Sequence, residues 1–217
     1  MIKSSRNPLE KKLGFSIVEL LVVLVVIAIM AAISIPYIAN FKKLYKTEDQ
    51  ALKISDLLRE ANQLALSKRR TFRFEIDLTD NSALIIDEKG SAADVLVKRV
   101  PLELPKDVRV DTIPYSVSKP NPPNYSDAAF AADTLGHLVG STTVTGHSIW
   151  SARFRSDGSI VSPADVPINA NLYFYPPTTP TSTIARNVGE VRALTISGGG
   201  GAVRYWKYNG SSFVASQ

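Results

Sequence analysis

The sequence predicts an α+β protein: a long N-terminal helix, membrane-spanning in its first half and amphipathic in its second, packed on an antiparallel β-sheet domain. Three features point there. Residues Phe15 to Ile35 form an apolar block broken only by Ser16, Glu19 and Ser34. From about Tyr37 to Ser67 the apolar residues keep a helical period, and beyond residue 70 the period drops to two. Helix first and strands afterwards is the order of an α+β domain with antiparallel pairing. The 217 residues divide accordingly into a leader (1–14), a transmembrane helix (15–35), its amphipathic continuation (36–70) and a β-rich globular domain (71–217).

The leader holds most of the excess charge. The chain carries a formal +5 with a pI near 9.4. Lys3, Arg6, Lys11 and Lys12 against Glu10 put +3 of this in the first fourteen residues, leaving +2 for the rest. Basicity is therefore weak support for a nucleic-acid partner. No cysteine is present, which excludes disulfides, thiolate metal sites and cysteine nucleophiles.

The apolar block of about 21 residues spans the roughly 30 Å hydrocarbon core at about 1.5 Å per residue. The basic flank before it favours a cytoplasmic N-terminus, although Lys42, Lys43 and Lys46 on the far side oppose this. A secretory signal would be shorter, with its small-residue cleavage site after the apolar run; here such sites, near Ala28 to Ala32, lie inside it.

Glu19 is the anomaly of the span. An ionised carboxylate in lipid costs roughly 2.5–3.5 kcal/mol on insertion scales, so it needs a partner or a function. No residue nearby in the span is basic. A cut between Gly14 and Phe15 would create an α-amine four residues before Glu19, and the amine of one subunit could pair with Glu19 of a neighbour. At about 4 Å and an effective dielectric near 20 this attraction is about 4 kcal/mol before desolvation. The other reading of the same residues is an ordinary uncleaved anchor with an incidental glutamate.

Lys11-Lys12-Leu13-Gly14-Phe15-Ser16-Ile17-Val18-Glu19-Leu20 resembles the prepilin cleavage and methylation motif shared by type IV pilins and type II secretion pseudopilins. The resemblance implies cleavage after Gly14 by an inner-membrane prepilin peptidase, N-methylation of Phe15 and a role for Glu19 in assembly. The implied partners are the peptidase, other pilin or pseudopilin subunits, the bacterial inner membrane and secretion cargo. A glycine suits the cut because the backbone can be approached closely.

Pro36 follows the apolar block and is expected to kink or loosen the helix. Beyond it Ile38, Phe41, Tyr45, Leu52, Leu58, Ala61, Leu64 and Ala65 recur at helical spacing, with charged residues on much of the other face. Lys68, Arg69 and Arg70 close the last turn, where cations suit the helix dipole. Thr71 to Leu78 alternates polar and apolar residues, Thr79-Asp80-Asn81-Ser82 is a turn, and Ala83 to Ile86 returns as the second strand of a hairpin. Further strands are expected at Val95–Val100, Val108–Ile113, Ile149–Arg155, Asn171–Tyr175, Val191–Ser197 and Val203–Lys207. Tyr115 to Ser148, rich in Pro, Gly, Ser and Asn, reads as a variable surface insertion or a partner-binding hairpin. Pro176 to Pro180 reads as an exposed loop.

Leu57 to Ala65, Phe154-Arg155-Ser156-Asp157-Gly158-Ser159 and the closing Val191–Ser197 hairpin resemble the GspH/FimT branch of the pilin-like proteins. FimT-type members are DNA-uptake pilins with a Gly-Arg-x-Arg run near the C-terminus. Here Gly201-Ala202-Val203-Arg204 lacks the first arginine. Arg192, Arg204 and Lys207 could contact phosphates, with Tyr205, Trp206 and Tyr208 stacking on bases; alternation of Val203, Tyr205 and Phe213 instead favours sheet packing. No catalytic residue, cofactor or metal ligand set is expected. His137 and His147 lack Cys or ligand-spaced carboxylate partners, and Gly198–Gly201 has no following Lys-Ser/Thr, so it reads as a hairpin turn. Three functions follow: a minor pseudopilin of type II secretion, a FimT-like minor pilin with possible DNA uptake, and a membrane-tethered periplasmic binding domain that does not assemble.

Overall fold

A computed structural model of the chain describes residues 16–89, 94–139 and 142–215, with side chains outside 35–44 and 137–139. Helix α1 runs Ile17–Lys68, and the chain divides into two compact units between Lys42 and Lys43. In the first unit, Ile17–Ser34 is long and apolar enough to cross a membrane, and none of it is buried in the protein. Ser34 Oγ donates to the Met30 carbonyl at 2.8 Å, which satisfies one polar group of the span inside the helix itself. The helical backbone continues across Pro36.

In the second unit the helix buries Ala51, Ile54, Leu57, Leu58, Ala61 and Ala65. Tyr45 and Leu52, expected on this face, are instead exposed. The buried series 51, 54, 58, 61, 65 advances by three and four, which turns 45, 52, 59 and 66 to the outside. Polar Thr47 and Gln50 take the buried places nearest residue 43, where Gln50 Oε1 accepts the Glu103 N–H at 3.0 Å. Arg69, at φ +52°, ends the helix in the left-handed region, and Arg70 pairs with Asp87 at 2.8 Å.

The strands are β1 (Phe72–Asp77), β2 (Ser82–Asp87), β3 (Val95–Pro101), β4 (Arg109–Asp111), β5 (Ser126–Asp127), β6 (Ala131–Ala132), β7 (His137–Val139), β8 (Thr142–Val144), β9 (Ser148–Phe154), β10 (Ile160–Val161), β11 (Asn169–Tyr175), β12 (Arg192–Ser197), β13 (Ala202–Tyr208) and β14 (Phe213–Ala215). The first sheet, sheet A, has the order β10-β9-β1-β2-β3-β7-β8, with β6 also on β9; sheet B has the order β14-β13-β12-β11-β4, with β5 also on β11. Pairing is antiparallel except at β3–β7 and β5–β11. All eight strands expected from the sequence form.

The stretch 115–148 corrects the expectation of a surface insertion. It contributes β5 to sheet B and β6, β7 and β8 to sheet A. These strands are two or three residues long, too short to show a period of two; β5, β6 and β7 pair onto β11, β9 and β3, and β8 pairs onto β7.

One core joins the helix face to the inner faces of both sheets: Phe72, Phe74 and Ile76 of β1, Trp150, Ala152 and Phe154 of β9, Leu172 and Phe174 of β11, Leu194 and Ile196 of β12, and Tyr205 of β13. Burying each large apolar side chain contributes about 1.5–3 kcal/mol. A second, smaller cluster lies on the other face of sheet B, where Tyr173, Tyr175, Ala193, Trp206 and Tyr208 pack beneath Val117 and Ala185. The two sheets touch at the β12–β13 turn. A Cβ on Gly198 would stand 2.6 Å from the Ile160 carbonyl and from the Ile168 backbone, whereas Gly199 and Gly200 face open space. Ile160 N–H donates to the Gly198 carbonyl at 3.0 Å across this junction. Gly198→Ala should therefore destabilise the domain by about 1–3 kcal/mol in denaturant unfolding, with Gly199→Ala and Gly200→Ala near neutral.

Candidate functional site

The helix starts at a cap. Ser16 Oγ accepts the Val18 N–H at 3.3 Å, and the Leu20 N–H donates to the Ser16 carbonyl at 3.1 Å. Ser16-Ile17-Val18-Glu19 has the spacing of a capping box, a signal in the sequence beyond the apolar run itself. Glu19 thus stands in the first turn, exposed, with no partner among the described residues. The helix dipole favours a carboxylate there by about 0.3–1 kcal/mol. That is well short of the roughly 2.5–3.5 kcal/mol of inserting it in lipid, so the deficit calls for a cation from outside the helix. Gly14 and Phe15 lie outside the described residues.

Residues 10–35 match the prokaryotic N-terminal methylation motif. The chain carries a prepilin signal. This signal supports a type IV pilin- or pseudopilin-like subunit, processed by a prepilin peptidase, anchored in the membrane through its apolar helix and assembled with other pilin subunits. It points to a structural subunit and not to an enzyme. No curated protein and no solved structure matches the chain.

The three cations considered for DNA contact do not share a surface. On β12 and β13, Arg192 is opposite Lys207 and shares its sheet face with the inward Leu194 and Tyr205. Both reach the helix: Lys207 Nζ is 2.6 Å from Glu48 Oε1, and Arg192 Nη2 is 3.6 Å from Glu48 Oε2. The hydrogen bond from Lys207 holds the Glu48 carboxyl below its ordinary range, with Arg192 adding to it. Arg204 is on the opposite face, opposite Thr195, with its guanidinium carbon 5.5 Å from the Trp206 ring centroid. Tyr205, Trp206 and Tyr208 are all buried, so the aromatic residues suggested for base stacking are occupied by packing.

The outer face of β1 was not legible in the sequence. Its alternation implied a solvated polar side, yet Arg73, Glu75 and Asp77 are at most 1% exposed. Arg73 donates to Glu75 at 2.6 Å, Glu88 at 3.0 Å, Asp94 at 2.8 Å and the Gly136 carbonyl at 2.6 Å. Arg153 reaches Glu88 and Asp165. Gly136 and His147 meet this face, and His147, expected without a carboxylate partner, has Nδ1 2.6 Å from Asp77 Oδ2. Asp77, Asp80 and His147 bring one ligand atom each within 4.8 Å of one another. Those atoms are already engaged: Asp77 Oδ1 accepts the Thr79 and Asp80 N–H groups, and Asp80 pairs with Arg99 at 3.1 Å. The group therefore serves the fold.

Burial pushes Glu75 up to about 7, with Asp133 and Asp77 acting in the same direction against the pull of Arg73. The hydrogen bond to Asp77 raises His147. Folded Glu75 holds its proton more tightly than the unfolded chain between its ordinary 4.5 and about 7, so stability falls as pH rises through that window. The His147 contribution is complete below its ordinary 6.5 and is lost as pH rises through its higher folded value. Denaturant unfolding midpoints should decline from about pH 5 to above 7, and Glu75→Gln should flatten most of the slope. Arg73→Ala strands buried acids and should cost about 3–5 kcal/mol.

Proposed function

We propose that this chain is a minor pseudopilin of a type II secretion system, of the H class in the GspH/FimT family. Prepilin peptidase cuts after Gly14, Phe15 becomes the methylated N-terminus, and the new amine meets Glu19 of a neighbouring subunit. The observation that carries this is Glu19 itself, an unpartnered acid in the first turn of a membrane-length helix, inside a matched prepilin motif. The leader is cytoplasmic, the β domain periplasmic. Exposed Tyr45, Leu52 and Leu66 on one stripe of the helix supply apolar contact for neighbouring helices in a filament. The β domain faces outward to other subunits or cargo, and no cofactor is needed.

A FimT-like DNA-uptake pilin is the second reading, favoured by Arg204 stacked on Trp206. Against it, Arg192 and Lys207 are engaged with Glu48, which leaves one cation where a phosphate track needs several. A tethered domain that never assembles has no use for Glu19.

The mature protein isolated from membranes should begin at Phe15 with one added methyl group by mass spectrometry; a chain still beginning at Met1 would exclude the pilin reading. Glu19→Ala should abolish incorporation into filaments while cleavage proceeds normally. Wild-type incorporation of that variant would refute the charge-pairing account.

A further inference from the structure

A cleft of about 360 Å³ opens on the outer face of sheet B, with Thr195 and Ser197 of β12 and Arg204 of β13 along one side and Pro122, Pro123 and Tyr125 along the other. The Pro122–Tyr125 wall is tied down from below. Asn171 Nδ2 donates to the Tyr125 carbonyl at 3.1 Å, while Asn171 Oδ1 accepts from Thr195 Oγ1 at 2.8 Å. Asn171 is fully buried, so wall and floor are held by a single satisfied side chain. Tyr125 Oη donates to Ser197 Oγ at 3.4 Å, which ties the two sides of the cleft together.

Arg204 is exposed at this cleft, and no carboxylate pairs with it among the described residues. Arg73, Arg99, Arg109, Arg153 and Arg155 each meet an acid, whereas Arg204, like exposed Arg69 and Arg186, meets none among the described residues; of these three, Arg204 alone lines the cleft. The Trp206 ring under its guanidinium restricts the side chain without neutralising it. The lining hydroxyls of Thr195, Ser197 and Tyr125 are engaged within the protein, so the site offers one oriented cation and flat apolar walls. A guanidinium held in this way matches a single carboxylate through two parallel hydrogen bonds. A nucleic-acid strand would need a row of cations, and the two nearest in the strands, Arg192 and Lys207, lie on the other face.

We propose that this cleft is a docking site for an acidic segment of a partner protein, with an aspartate or glutamate of the partner on Arg204 and a neighbouring apolar side chain between Pro123, Tyr125 and Ala202. The site does not depend on which secretion or pilus machine owns the chain, nor on filament assembly.

Full-length protein in detergent would be titrated with a fluorescent peptide of alternating glutamate and leucine, its glutamine counterpart and an oligothymidylate. The glutamate peptide should bind, and Arg204→Glu should weaken it about tenfold or more, as expected for one charge-assisted hydrogen-bond pair. Arg204→Lys should weaken it less, and Lys207→Ala should leave it unchanged. Arg204 is exposed, so the thermal midpoint of its variants should match wild type and exclude misfolding as the cause. Equal binding of the glutamine peptide, tighter binding of the oligonucleotide, equal loss in Lys207→Ala, or no peptide binding would each overturn the assignment.

Discussion

An ionised group withdrawn from water must find a countercharge, and this constraint organises the protein at three depths. In the apolar helix it leaves Glu19 with a deficit that the helix dipole only partly offsets. On the outer side of sheet A it gathers strands β1, β2 and β9, the 126–147 region and the start of β3 around Arg73. At the helix–sheet contact it draws Arg192 and Lys207 to Glu48. The inner two cases are solved within the chain. Glu19 has no countercharge among the described residues, and the proposed pairing with a neighbouring subunit rests on that.

The buried charge of sheet A also helps to hold a weakly patterned segment. Region 126–147 places Ala128 in the core and packs Phe130 against it. Polar contacts add to this: Gly136 supplies a carbonyl to Arg73, Asp133 accepts the Leu135 and Gly136 N–H groups, and His147 meets Asp77. Buried ionic networks are poor sources of net stability, because desolvation consumes much of the Coulombic gain. Their effect here is geometric, since each donor of Arg73 selects one position of the chain.

Sheet B is organised by apolar packing on both sides. Its inner face joins the helix core, and its outer face carries an aromatic layer of Tyr173, Tyr175, Trp206 and Tyr208. Strand parity then decides the fate of each cation in the closing hairpin. Positions 192 and 207 fall inward with Leu194 and Tyr205, so their charges go to Glu48. Position 204 falls outward with Trp206, so its charge remains available at the surface.

The sequence by itself determined the apolar helix, the prepilin motif, the α+β class and eight strands, because these rest on local signals: an unbroken apolar run, a period change at residue 70, and turns at 79–82 and 198–201. It also identified Glu19, because a lone acid in an apolar run is anomalous without any structure. Only the tertiary structure decided which helix face is buried, placing Tyr45 and Leu52 outside, since apolar residues occur on both faces and only packing selects one. Likewise β5 and β7, the His147–Asp77 pair and the burial of Arg73 depend on contacts between segments tens of residues apart. The separation of Arg204 from Arg192 and Lys207 was implicit in strand parity, but which side faced the helix was settled by the fold alone.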